Sequence, residues 1–127
     1  MKPVLVDTDV LINFLRGKPK AKEFLLAQLD SGPILCSVIT VAEIFAGMRP
    51  HEQEKTRELL DNLEIIPVTR AIAEKAGLYK GGIKSHSLEL DDCIIAATAH
   101  LWKATLVTGN DRHYPMDDIK KAVVSCE

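Results

Sequence analysis

The stretch Pro3-Val4-Leu5-Val6-Asp7-Thr8-Asp9-Val10-Leu11-Ile12 decides the fold. Pro3 to Val6 is short, apolar and rich in β-branched residues, which suits a strand buried on both faces in the middle of a parallel sheet. The run stops at Asp7-Thr8-Asp9, all three of them good helix N-caps. Val10 to Leu15 then reads as a helix, ended by Gly17 and Pro19. A buried strand turning at once into a helix is the repeating step of an α/β architecture.

The same step recurs along the chain. A second helix is expected over Ala21–Leu29, with Phe24, Leu25 and Leu29 on its apolar face, before the turn Asp30-Ser31-Gly32-Pro33. Ile34–Cys36 is a second strand. Ser37 or Thr40 caps a helix that runs through Glu43 to Gly47 or Met48, and Pro50 opens another over His51–Leu63. Ile65–Val68 is a third strand. Thr69 caps a helix with Ile72, Ala73, Ala76, Leu78 and Tyr79 as its buried positions, and Lys80–Ser87 reads as a loop. A helix over Leu90–Trp102, a strand over Ala104–Val107 and a turn at Thr108–Asp111 follow. The tail from Asp117 holds a short helical stretch and a last strand at Ala122–Val124. This order predicts an α/β sandwich with a mainly parallel sheet, formed by residues 1–127 as a single domain.

Composition narrows the function. With 127 residues the chain is long enough to bury a core without disulfides. A net charge of −2 excludes a fold that grips nucleic acid by bulk positive charge, though not a local basic patch. The cysteines Cys36, Cys93 and Cys126 are odd in number and far apart, which fits reduced thiols in a cytoplasm. Val4-Leu5-Val6 is too short for a signal peptide, and no apolar run approaches the roughly 20 residues of a membrane helix.

In parallel sheets function gathers where strands end at their carboxyl side. Asp7 follows the first strand, and Asn110 and Asp111 follow the fourth. Asp91 and Asp92 open the helix before that strand, and Glu43 sits inside the apolar run Ile39–Gly47. Taken singly, each acid has a plainer role. Asp7 caps a helix, Asp92 is a first-turn acid favoured by the helix dipole, Asp111 is a turn residue, and Glu43 pairs with a buried Lys or Arg. Few Lys or Arg lie near them in sequence, so a bound cation is the economical partner. Carboxylates and an Asn carbonyl are hard oxygen ligands suited to Mg²⁺ or Mn²⁺. The histidines, His51, His86, His100 and His113, lack paired zinc spacing.

Four blocks then come together. Val4–Ile12, Thr40-Val41-Ala42-Glu43, Leu90–Ala99 and Leu106–Tyr114, in this order and spacing, resemble the blocks of PIN-domain ribonucleases, most closely the VapC-type toxins of toxin–antitoxin pairs. The resemblance implies a three-layer α/β/α sandwich and hydrolysis of RNA phosphodiesters with one or two Mg²⁺ or Mn²⁺ ions. It makes Asp7, Glu43 and Asp92 the core acids, and selects Asp92 over Asp91 because the family's acid directly precedes the apolar run. Asn110 stands at the fourth position, with Asp111 beside it. Thr108 and Asp91 support the ligands from behind, and Asp9 caps the first helix or helps through water. Arg112, Arg49 and Lys84 are the first choices for RNA contact, with Lys18, Lys20, Lys22 and Lys80 as further cations. An antitoxin partner and a homodimer are also implied.

Two other enzyme-fold readings and one non-enzyme reading compete. Asp7-x-Asp9 resembles the haloacid-dehalogenase motif, in which Asp7 would be the nucleophile of a phosphatase. A receiver domain would need an acceptor Asp after the third strand, where Val68-Thr69-Arg70 stands instead. A PIN-like module with a decayed metal site would bind RNA or a partner without cutting.

Overall fold

The computed structural model describes residues 3–84 and 87–127. Five strands, β1 (Val4–Val6), β2 (Ile34–Ser37), β3 (Glu64–Ile66), β4 (Thr105–Thr108) and β5 (Lys121–Val123), form one sheet in the order β3-β2-β1-β4-β5. Every pairing is parallel, with Leu5 opposite Leu35 on one side and Leu106 on the other. Strand order reverses between β1 and β4, so the crevice of this sheet opens at the carboxyl ends of those two strands.

The period-two alternation of the strands sends side chains into two cores. On one face Leu5, Leu35, Ile66 and Leu106 pack against α5 (Arg70–Gly82) and α6 (Leu90–Trp102). On the other, Val6, Ile34, Cys36 and Val107 pack against α1 (Thr8–Leu15), α2 (Pro19–Ser31), α3 (Val38–Gly47) and α4 (Gln53–Asp61). The result is the expected α/β/α sandwich, with the described strands wholly parallel.

The structure corrects several local expectations. In α2 only Ala21 and Leu25 are buried, while Leu29 is exposed, because the helix lies at the rim of its layer. The helix expected from His51 splits into a 3₁₀ turn at Pro50–Glu52 and α4. β3 starts at Glu64, one residue before the expected Ile65, and ends at Ile66 beside Pro67, which has no N–H to continue a ladder. α5 runs on through Gly81 and Gly82 into the segment expected to be a loop. Its last turn is held from outside by the buried Tyr79 and by Lys80 Nζ, which donates to the Leu88 carbonyl at 2.6 Å. Such tertiary anchoring outweighs the poor helix propensity of glycine. The rest of that expected loop includes Ser85 and His86, which lie outside the described residues.

Ile72, Ala76 and Tyr79 follow a clean i, i+4, i+7 face, so Ala73 and Leu78 point outward, Leu78 with 72% of its surface exposed. No helix forms after Asp117. Instead Asp118 accepts from Lys75 Nζ at 2.8 Å and Tyr79 Oη at 2.7 Å, which pins the segment to α5 ahead of β5. Ile72→Ala should therefore cost about 3 kcal/mol of folding stability, and Leu78→Ala less than about 0.5 kcal/mol, as measured by urea unfolding.

Candidate active site

Asp7 leaves β1 as the N-cap of α1, and its Oδ1 accepts from the Thr8 amide at 2.7 Å. Across the β1–β4 crevice, Thr108 Oγ1 donates to Asp7 Oδ2 at 2.8 Å. Asp7 keeps only 6% of its surface. Burial, with the Asp9 charge adding to it, lifts its carboxyl to about 6, against the pull of the Thr108, Tyr114 and Thr8 hydrogen bonds.

Glu43 reaches the same edge from α3. Thr8 Oγ1 lies 2.6 Å from Glu43 Oε1 and 3.0 Å from Thr40 Oγ1. With one proton to give, Thr8 donates to the carboxylate and takes the Thr40 proton. Burial and the facing Asp91 raise Glu43 to about 7, while the same contact lowers Asp91. Asp91 and Asp92 occupy the first turn of α6, where the Asp92 amide bonds Asp91 Oδ1 at 3.0 Å. Burial and the Asp91 charge raise Asp92.

Two neighbours of these acids carry no sequence signal that marks them. Tyr114 is completely buried, and its hydroxyl donates to Asp92 Oδ1 at 3.3 Å. His113 Nδ1 stands 3.8 Å from Asp92 Oδ2. Both end the Leu106–Tyr114 block, and their adjacency to the acids depends on the 3₁₀ turn Asp111–His113, which the sequence does not announce.

Other expected residues do something different. Asp9 is not the cap of α1, because Asp7 holds that place; both Asp9 oxygens instead take the Gly109 amide, at 3.3 and 3.1 Å. Asn110 Oδ1 caps the Arg112 amide at 3.2 Å, and Asp111 is exposed at the start of the same turn. The side-chain oxygen of Asn110, one of the two residues expected at the fourth position, thus bonds within its own turn. Arg112, Arg49 and Lys84 are exposed, and none lies within 4.0 Å of a carboxylate among the described residues. Lys80 is committed to Leu88.

A PIN-domain family model matches residues 4–119, and the chain belongs to that family, on its VapC-type branch. It is 39% identical over 115 residues to the ribonuclease VapC10 of Mycobacterium tuberculosis, covering 89% of this chain and 86% of the relative. A chain of a toxin–antitoxin complex from Klebsiella pneumoniae is 31% identical with a TM-score of 0.77, over 91% of this chain and 94% of its own. VapBC2 from Rickettsia felis, solved on a promoter DNA fragment, has a TM-score of 0.80 over 97% and 99% of the two chains, and at 22% identity shows the fold alone.

PIN-domain ribonucleases use a divalent metal. The donor set here suits one. Asp7, Glu43, Asp91 and Asp92 have no Lys or Arg within 4.0 Å among the described residues. No three His, Cys, Asp or Glu side chains among those residues close on one point. Mg²⁺ does not require such a cage, since it keeps several waters and binds through one or two carboxylates.

Two measurements follow from this geometry. Asp7 and Glu43 bind protons more tightly folded than unfolded, so their contribution to stability is full below about pH 4 and is lost as pH rises through about 6 and 7. In EDTA, the double variant Asp7→Asn/Glu43→Gln should melt a few degrees above the parent at about pH 8 and lose that advantage at about pH 4, by calorimetry. A Cβ at Gly109 would lie 2.7 Å from Asp9 Oδ2. Gly109→Ala should thus cost about 1.5–3 kcal/mol, the worth of a hydrogen bond to a charged group, and add little on an Asp9→Ala background.

Proposed function

We propose that this protein is a divalent-metal-dependent endoribonuclease, the toxin of a toxin–antitoxin pair. The observation that carries the reading is the set of carboxylates Asp7, Glu43, Asp91 and Asp92 gathered, among the described residues, without Lys or Arg partners at the β1–β4 crevice of a VapC-like chain. Asp7 and Asp92 are the residues assigned to hold the cation. A divalent cation bound there supplies positive charge to the phosphoryl oxygens and lowers the pKa of the attacking water.

The chain's own groups do the rest. Glu43, poised near neutrality, accepts the proton of the attacking water. The water oxygen bonds to phosphorus as the P–O bond to the departing ribose oxygen breaks. Thr108 fixes the orientation of Asp7, and Thr8 that of Glu43. Arg112, Arg49 and Lys84 meet the RNA phosphates, which the acids alone would repel. The phosphatase alternative loses its second carboxylate, since Asp9 commits both oxygens to Gly109.

For the antitoxin, support comes from an apolar groove of about 290 Å³ lined by Phe14, Leu15, Leu25, Leu29, Leu59 and Leu63, wide enough for a partner's side chains. Pairing of two copies belongs to the same reading, as does a cytoplasmic setting in which Cys36, Cys93 and Cys126 remain free thiols. Among the described residues no helix is long and apolar enough to cross a membrane.

The test is cleavage of total RNA in Mg²⁺, with Mn²⁺ titration calorimetry beside it. Asp7→Asn and Asp92→Asn should lose both cleavage and Mn²⁺ binding. Asn still caps α1, so the fold survives. Glu43→Gln should lose about 100-fold in kcat. Full activity in either aspartate variant refutes the assignment, and Mn²⁺ binding by the parent without cleavage identifies a non-cutting module.

A further inference from the structure

Tyr114 is the largest of the fully buried side chains. Its ring belongs to the core shared by Leu5, Leu106, Ile95 and Met116. The backbone around it is fixed on both sides. Its amide donates to the Asp111 carbonyl at 3.0 Å, and its carbonyl accepts Lys121 Nζ from β5 at 2.6 Å. A buried tyrosine normally finds a partner for its hydroxyl. Here the partner is an acid of the site. The hydroxyl donates to Asp92 Oδ1 at 3.3 Å.

Asp92 stands in the first turn of α6, and Asp7 at the end of β1. Asp7 is already held by Thr8 and Thr108. Among the described residues Asp92 has no other side-chain donor closer than His113 at 3.8 Å. A phenylalanine would fill the same core volume and leave the α6 acid untethered. A tyrosine hydroxyl has one proton to donate, and here it goes to Asp92.

We propose that Tyr114 is a positioning residue whose hydroxyl holds Asp92 in place before a divalent cation arrives. The proposal rests on the reading of Asp7 and Asp92 as the cation's holders. Groups that orient metal ligands are typically worth about 10–100-fold in affinity or activity.

The test compares the parent with Tyr114→Phe. Mn²⁺ titration calorimetry should show Kd weakened about tenfold, and RNA cleavage should lose about tenfold in kcat with KM unchanged. Tm should change little, because the ring remains. A second readout uses the intact side chain. The chain has 2 tyrosines, so 3-fluorotyrosine labelling gives one ¹⁹F resonance each for Tyr79 and Tyr114. Saturating Mg²⁺ should move the Tyr114 resonance and leave that of Tyr79, which is bonded to Asp118, in place. Parent-like Mn²⁺ affinity and kcat in Tyr114→Phe, or a Tyr114 resonance unmoved while calorimetry registers Mg²⁺ binding, overturns the proposal alone. A parent that binds neither ion overturns the underlying reading and the proposal with it.

Discussion

Carboxylates crowded at a partly dry sheet edge, with no lysine or arginine within 4.0 Å among the described residues, are the constraint around which this molecule is arranged. Each would rather be protonated or solvated, and Asp7 and Glu43 are accordingly lifted to about 6 and 7. Holding them together takes a rigid frame. Parallel strands packed on both faces supply it, and three cross-links hold the open edge: Asp7 to Thr108, Asp9 to Gly109, and Tyr114 to Asp92. Each joins elements that are remote in sequence and adjacent in space.

That frame explains what could be read from the chain and what could not. Asp7 was legible because it ends an apolar strand, and Glu43 because a carboxylate inside Ile39–Gly47 has no capping role to play. Asp92 was singled out from Asp91 by the family resemblance, since both stand at the head of the same helix. These signals are local. Tyr114, His113 and the Asp9–Gly109 bond depend on how a short 3₁₀ turn after β4 meets α1 and α6, and no local pattern encodes that meeting. The misjudged α5 face has the same origin. Leu78 looks like core by composition, yet the helix is turned by Ile72, Ala76 and Tyr79, and its end is extended by a lysine that finds a carbonyl beyond the loop.

α1 carries two duties along its 8 residues. Its first turn is capped by an acid of the site, and its last turn, Phe14 and Leu15, walls the apolar groove. At 1.5 Å per residue the two ends are about 12 Å apart. Whatever fills that groove is thus fastened to the same short rod that aims Asp7, which brings the partner's reading and the enzyme's reading onto one element.

The span of the Asp7–Thr108 bond has a further consequence for the life of the molecule. Its partners are 101 residues apart, so the edge closes only across the whole length of the fold. During synthesis the first strand and its aspartate emerge early, while Thr108, Gly109 and Tyr114 are still to be added. This edge therefore stays open until residues up to Tyr114 have cleared the exit tunnel and β4 has joined the sheet beside β1.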